Sequence, residues 1–248
     1  MAEHNEPTQW IIVTGHSRGV GQRLVSKLLA QSDYGVIGIS RSVNEQIEEW
    51  QNTYSEKFKH ISYDLNDVEG IKKLFLNEIA SIGPIYGLVN NSAMAYDDIA
   101  SNLNITKLQN MYNVNVFAAM QLVKYTLRNM LLHHTQGSIV NISSISAHTG
   151  YKGLSMYASS KGAIEAFSKN IAREWGSRGI RSNCVVPGFM ETAMSDTLTE
   201  EQKARIYKRT SLKKETNVDS VCDSVIFLLS SGASSITGSV IHVDNGTI

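Results

Sequence analysis

The residues best suited to chemistry are a tyrosine and a lysine four positions apart, Tyr157 and Lys161. Residues at this spacing share one face of a helix, so the phenol and the ammonium would lie side by side. A phenol has an ordinary pKa of about 10, and a neighbouring ammonium favours the phenolate and lowers that pKa. The pair therefore predicts a tyrosine whose pKa is shifted toward the working pH, as general acid catalysis requires. Ser144 ends an apolar segment 13 residues before Tyr157 and would lie nearby.

A second chemical feature is the glycine-rich turn that contains Gly15, Gly19 and Gly21. It follows the apolar segment 10–13 and opens the helical pattern 20–31. Glycine lets the chain turn tightly and lets backbone N–H groups approach a pyrophosphate at the N-terminus of a helix. The order of strand, turn and helix predicts a dinucleotide site.

The elements that must position these residues alternate between short apolar segments and longer helical patterns. Strands are predicted at 10–13, 35–40, 59–63, 85–90, 137–142, 181–186 and 239–243. Helices are predicted at 20–31, 44–55, 67–81, 104–132, 155–177 and 218–230. This alternation predicts an α/β fold, a doubly wound Rossmann-like sheet of seven parallel strands with helices on both faces. No linker divides the chain, so we expect a single domain over residues 1–248.

The composition excludes several other classes of protein. Lys and Arg together number 23, as do Asp and Glu, so the basic excess of a nucleic-acid binder is missing. The two cysteines, Cys184 and Cys222, are too few for a disulfide framework and have no zinc-like spacing. Neither a signal peptide nor a run of 18 apolar residues is visible. We expect a cytoplasmic protein with no nucleic-acid, membrane or metal partner.

The turn T-G-x-x-x-G-x-G and the later Y-x-x-x-K together resemble the short-chain dehydrogenase/reductase family, and the resemblance covers nearly the whole chain. It implies an oxidoreductase with a Rossmann-like domain that binds NAD or NADP. It also implies that Tyr157 donates a proton to a carbonyl oxygen during reduction, while Ser144 polarises that carbonyl. By the same resemblance, Lys161 holds the nicotinamide ribose and Asn115 completes a water-linked proton relay to the lysine.

Two neighbouring residues are the alternatives for these roles. Ser143 stands beside Ser144, but strand alternation points it to the other face of the sheet, and the family spacing selects Ser144. Asn113 is the alternative to Asn115.

The second strand indicates which nicotinamide cofactor binds. NAD sites favour an acid at the end of this strand, whereas here Arg41 follows it and Arg18 lies in the glycine turn. In the family, basic residues at these two positions accompany the 2′-phosphate of NADP, which planar guanidinium groups suit well. We therefore predict a preference for NADPH. The expected cofactor contacts are Gly15, Ser17, Arg18, Gly19, Val20, Gly21, Arg41, Asp64, Leu65, Asn91, Tyr157, Lys161, Pro187, Gly188 and Thr192.

The C-terminal half most resembles the 3-oxoacyl-[acyl-carrier-protein] reductases of the family, which implies a 3-oxoacyl thioester substrate. Arg178 matches one of two arginines that receive the carrier protein, and no arginine stands at the other position, near 134–135. The polar stretch 189–217 predicts a substrate lid. The long helices at 104–132 and 155–177 imply a homotetramer, with a dimer as the alternative.

Two other functions remain open at this point. One is an alcohol or sugar dehydrogenase of the same family that acts on a small molecule. The other is a regulator that binds NADP without catalysis, and the presence of Ser144, Tyr157 and Lys161 together argues against it.

Overall fold

Seven short apolar segments form one parallel sheet in the computed structural model, which describes residues 9–191 and 199–247. The strands are β1 Trp10–Thr14, β2 Gly35–Ser40, β3 Phe58–Ser62, β4 Ile85–Asn90, β5 Ser138–Ile142, β6 Arg181–Pro187 and β7 Val240–Val243. Their order is β3-β2-β1-β4-β5-β6-β7, and every neighbouring pair is parallel. The order reverses between β1 and β4, so ligands are expected beyond the carboxyl ends of these strands. The predicted doubly wound fold is confirmed.

Helices cover both faces of this sheet. The described α-helices are α1 Gly19–Gln31, α2 Glu45–Thr53, α3 Ile71–Leu74, α4 Ile105–Tyr112, α5 Ala118–Leu132, α6 Ser155–Trp175, α7 Glu200–Lys208 and α8 Val218–Leu229. Of these helices, none is both long and apolar enough to cross a membrane.

Two helix predictions need correction. The helix predicted at 67–81 is a single α-turn, α3, followed by the π-helical segment Phe75–Ile79. The long helix predicted at 104–132 is divided by a second π-helical segment, Asn113–Phe117. In a π-helix each N–H bonds one residue further back than in an α-helix, which apolar periodicity alone does not reveal.

The strands bury both of their faces, which explains their nearly continuous apolar sequences. In β1, Ile11 and Val13 pack with α1 and α8, whereas Trp10 and Ile12 pack with the helices of the opposite layer. Side chains therefore alternate between two cores along each strand. The two cores hold the carboxyl ends of the strands in a fixed array.

The described part of the predicted lid is tied to the end of the sheet. Thr210 forms an isolated β-bridge with Thr247. Ser211 N donates to Gly246 O at 2.9 Å, and Leu212 N donates to Asn245 O at 3.1 Å. Helix α7, which the sequence did not predict, precedes this attachment and begins with a capping box at Thr199.

Candidate active site

Helix α6 brings Tyr157 and Lys161 together on its inward face, where it packs against β6. Lys161 is only 3% exposed, and its Nζ lies 5.5 Å from the centre of the Tyr157 ring. The same Nζ donates a hydrogen bond of 2.8 Å to the carbonyl of Ile142, at the end of β5. Burial lowers the pKa of Lys161 to about 8, because the ammonium is poorly solvated there.

The pKa of Tyr157 moves in the direction opposite to the predicted one. Burial raises it to about 12, while a hydrogen bond with Ser144 acts to lower it and the carboxylate of Asp97 raises it further. The predicted lowering is wrong because desolvation of the phenolate outweighs the influence of its neighbours. The bond with Ser144 does place the two predicted catalytic hydroxyls in contact.

Ser144 begins the short 3₁₀ turn Ile145–Ala147 that follows β5. Its Oγ accepts hydrogen bonds from the backbone N of Ser146 at 3.2 Å and from the Ser146 hydroxyl at 3.0 Å. The hydroxyl of Ser143 donates to Glu165 on α6. Both serines therefore contact α6, Ser143 through Glu165 and Ser144 through Tyr157, so the prediction that Ser143 points to the other face of the sheet is wrong.

The π-helical segment Asn113–Phe117 turns Asn115 into the interior. Its Oδ1 accepts from Met94 N at 2.7 Å, and its Nδ2 donates to Met94 O at 2.9 Å and to Ser160 Oγ at 3.0 Å. Asn115 and Lys161 line the same cavity of about 10 Å³, which has room for one water molecule. Asn113 instead donates to Asn66 at 3.1 Å. The structure thus places Asn115, and not Asn113, beside the lysine.

The glycine turn has the shape of a phosphate-binding loop. Gly15 and Gly19 have φ values of +70° and +57°, where other residues are strained. A Cβ on Gly21 would lie 2.2 Å from Gly15 O, whereas a Cβ on Gly19 would meet no atom of the described residues within 4 Å. Within residues 9–191 and 199–247, no side chain caps the N-terminus of α1, which leaves its first N–H groups available to an anion. The turn therefore fits a dinucleotide pyrophosphate.

Two residues outside the predicted set brace this turn. Thr14 Oγ1 accepts from the backbone N of Asn91 at 2.9 Å and of Ser92 at 3.0 Å. The Asn91 side chain donates to Thr14 O at 2.9 Å and to Gly15 O at 3.1 Å, so it lies against the backbone of the turn. Asn44 caps α2 and also donates to Ser17 O at 2.7 Å, which ties the turn to the end of β2.

The remaining predicted cofactor residues surround the same edge of the sheet. Arg18 and Arg41 are exposed on the two segments that Asn44 joins. Val20 and Leu65 are buried, while Asp64 is exposed and its Oδ1 accepts from Asn66 N.

The segment after β6 is shaped by close packing. Pro187 ends β6, and Gly188 N donates to Val243 O at 3.0 Å. A Cβ on Gly188 would lie 2.7 Å from the Cα of Asp244, so glycine is needed there. Thr192 lies outside the described residues.

The comparisons with known proteins agree with this geometry. A family model described as Enoyl-(Acyl carrier protein) reductase matches residues 15–247. The chain is 32% identical to the 3-oxoacyl-[acyl-carrier-protein] reductase FabG of Haemophilus influenzae, over 95% of this chain and 96% of that protein. The chain belongs to the short-chain dehydrogenase/reductase family. It is an oxidoreductase of that family.

Other members of the family are similar over the same length. Carbonyl reductase family member 4 of Xenopus laevis is 36% identical over 94% of this chain and 95% of that protein. A crystal structure of a candidate NAD(P)-dependent gluconate 5-dehydrogenase from Beutenbergia cavernae, with bound NADP at low occupancy, superposes with a TM-score of 0.89. It is 27% identical and covers 96% of this chain and 95% of its own.

One histidine of this short-chain dehydrogenase/reductase was missed by the sequence reasoning. His16 is fully buried behind the glycine turn, and its Nε2 lies 3.0 Å from His60 Nδ1. Gly38 makes room for it, since a Cβ there would lie 2.6 Å from the imidazole. Burial lowers the pKa of His16 to about 4, and the nearby His60 adds to the effect. A glycine in the middle of an apolar strand was the available signal of such a close approach.

Proposed function

We propose that this protein is an NADPH-dependent carbonyl reductase that acts on 3-oxoacyl thioesters. The observation that carries the proposal is the meeting of Ser144, Tyr157 and Lys161 at the carboxyl ends of the strands, beside the glycine turn. The names of the similar Haemophilus and Xenopus proteins support a carbonyl substrate.

The cofactor would lie across the switch point of the sheet, and when bound it supplies the hydride. The backbone of the turn, with Gly15, Ser17, Gly19, Val20 and Gly21, would hold its pyrophosphate. Arg18 and Arg41 would hold the 2′-phosphate, and Asp64 and Leu65 the adenosine. The nicotinamide half would lie against Pro187, Gly188 and Thr192, and Asn91 would contact the cofactor beside the glycine turn.

Each polar side chain of the site has its own proposed role in proton transfer. Tyr157, with a pKa of about 12, carries its proton at neutral pH and would donate it to the carbonyl oxygen of the substrate. Ser144 would donate a hydrogen bond to the same oxygen. Lys161 would hold the nicotinamide ribose, and Asn115 would hold a water that returns a proton through the lysine.

The direct test is the oxidation of NADPH in the presence of acetoacetyl-CoA. We expect turnover by the wild type and its loss in Tyr157→Phe, which still binds NADPH. Tyr112→Phe is a matched control, since the Tyr112 hydroxyl donates to Ser159 on the side of α6 away from the lysine. Retention of more than about a tenth of the wild-type rate by Tyr157→Phe would reject Tyr157 as the acid, because positioned proton transfer contributes roughly 10²-fold or more.

A second candidate function is the oxidation of a small hydroxylated molecule, such as a sugar acid. The similarity to the Beutenbergia structure favours it. NADP⁺ reduction with gluconate and related polyols distinguishes the two, because activity there without any on acetoacetyl-CoA would favour the dehydrogenase. A regulator without catalysis would bind NADPH and show neither activity.

Arg178 is proposed to contact an acyl carrier protein. It is exposed in the 3₁₀ turn that follows α6. Arg178→Glu is expected to raise the KM for a carrier-bound substrate while the KM for acetoacetyl-CoA stays constant. Equal effects on both substrates would exclude carrier docking at this residue.

A homotetramer, with a dimer as the alternative, is also part of the proposal. Ile105 in α4, Phe117 at the end of the π-helical segment and Leu132 in α5 expose 67%, 43% and 75% of their surface. Surfaces of this kind are covered in symmetric assemblies. Light scattering of the purified protein measures the assembly state, and Phe117→Asp is expected to lower the mass.

A further inference from the structure

A largely buried carboxylate, that of Glu165, lies one helical turn beyond the catalytic lysine. Tyr157, Lys161 and Glu165 follow one another at intervals of four residues, so they share one face of α6. The Glu165 side chain is 13% exposed. Its Oε1 accepts a hydrogen bond from the Ser143 hydroxyl and lies 3.0 Å from His148 Nε2. A carboxylate this enclosed is rare unless it is paired.

The two partners of Glu165 lie on either side of Ser144. Ser143 precedes it at the end of β5, and His148 follows the 3₁₀ turn that Ser144 begins. The His148 ring in turn packs edge-on against His242 of β7, with 4.5 Å between the ring centres. His242 Nδ1 lies 3.3 Å from Asp244 Oδ2. The carboxylate therefore joins α6, the segment that carries Ser144 and, through the two imidazoles, the edge of the sheet.

We propose that Glu165 is a positioning residue for the carbonyl reduction: it fixes the segment that carries Ser144, and its negative charge helps to keep Lys161 protonated. This inference rests on the proposed function, and it assigns to Glu165 two effects that can be separated. One effect is mechanical and passes through the hydroxyl of Ser143. The other is electrostatic and acts on Lys161.

The electrostatic effect follows from the burial of the lysine. Desolvation lowers the pKa of Lys161 to about 8, and Cys184 on β6 and Glu165 on α6 act against this lowering. The other side chains around it are the partly buried Tyr157 and the neutral residues of the small cavity, among them Asn115 and Asn90. The thiol of Cys184 is itself neutral at ordinary pH, because burial raises its pKa to about 12. Among the residues that the structure describes, Glu165 is therefore the carboxylate that acts on the charge of Lys161.

Three variants separate the two effects. Ser143→Ala removes the hydrogen bond and keeps the carboxylate, so we expect kcat to fall about tenfold, the loss of one hydrogen bond, with the pH dependence unchanged. Glu165→Gln removes the charge, and we expect the alkaline limbs of kcat and of NADPH affinity to move to lower pH. Glu174→Gln, an exposed position on the same helix, is the matched control and should behave as the wild type.

NADPH affinity is measured by fluorescence between pH 6 and pH 10, and it does not depend on turnover. If the affinity of Glu165→Gln follows the same pH curve as that of Glu174→Gln, the inference is wrong. If the wild type binds NADPH but reduces no carbonyl, the proposed function fails, and the binding curves still decide the effect of Glu165 on Lys161.

Thermal melting checks the fold of each variant. If Glu165→Gln does not fold, Glu165→Asp keeps the charge with a shorter reach, and it should retain the wild-type alkaline limb while kcat falls; an unchanged kcat would overturn the mechanical part.

Discussion

His16 makes the stability of this protein sensitive to acid, and the size of the effect follows from its surroundings. The ring is fully buried between Phe58, at 5.8 Å, and Trp50, at 6.4 Å, and its polar neighbour is another imidazole, His60. A charged ring would lose its hydration and repel a second charge. For this reason the pKa of His16 falls to about 4, and that of His60 is also lowered by burial.

The direction in which the free energy of unfolding changes with pH follows from the number of protons bound by the folded and unfolded chains. An unfolded histidine titrates at a pH of about 6.5, whereas folded His16 stays neutral down to about pH 4. Across this window the unfolded chain binds more protons, so the free energy of unfolding falls as the pH falls and levels off below about pH 4. Between pH 7 and pH 5 the contribution of His16 is a loss of about 2 kcal/mol. For a chain of this length that corresponds to roughly 4 °C in Tm.

Urea denaturation at pH 7 and pH 5, at one protein concentration, measures this loss. His16→Ala is expected to be less stable than the wild type at pH 7 because it leaves a cavity, but to lose much less stability on acidification. His133→Ala, at an exposed histidine, should lose as much as the wild type. If the wild type and His16→Ala lose the same free energy to within about 0.5 kcal/mol, the reasoning from burial is refuted.

Three further predictions concern the turn and the site. Gly21→Ala places a Cβ against Gly15 O and should lower the free energy of unfolding by about 2 kcal/mol. Gly162→Ala, whose Cβ in α6 would meet no described atom, should raise that free energy by about 0.5 kcal/mol. Urea denaturation of the two variants measures both changes. Arg41→Ala should raise the KM for NADPH about tenfold and leave the KM for NADH nearly constant. Steady-state kinetics with each cofactor measures both values, and an equal rise in both would contradict the role of Arg41. Ser144→Ala should lower kcat by about 10² without weakening NADPH binding, and a kcat within threefold of the wild type would contradict its role.

The strands were the most predictable part of the fold. The bounds of β2 and β4 match the prediction at both ends, because each is an apolar segment enclosed by polar residues or turns. Helix α7 was missed because its sequence, Glu200–Lys208, is strongly polar and has no buried side chain. Its start is set by a capping box, a local signal that was available.

In the candidate site, contacts between residues close together in the sequence were also predictable, and contacts between distant residues were not. Tyr157 and Lys161 are four residues apart, so one helix suffices to bring them together. The bond between Ser143 and Glu165 joins residues 22 apart, and the His16–His60 contact joins residues 44 apart. Such contacts depend on the packing of several elements, as does the desolvation that raised the pKa of Tyr157.

The π-helical segment Asn113–Phe117 joins α4 to α5, and its length matters to the active site as much as its residue types do. Each residue of an α-helix turns the chain by about 100°, so loss of one residue from the segment would rotate α4 by that angle relative to α5. Asn115 would then leave Met94 and the cavity that it shares with Lys161. A deletion here should be far more damaging than a conservative exchange of any neighbour of Asn115. The number of residues in the segment is therefore as much a requirement of the site as the identity of Asn115.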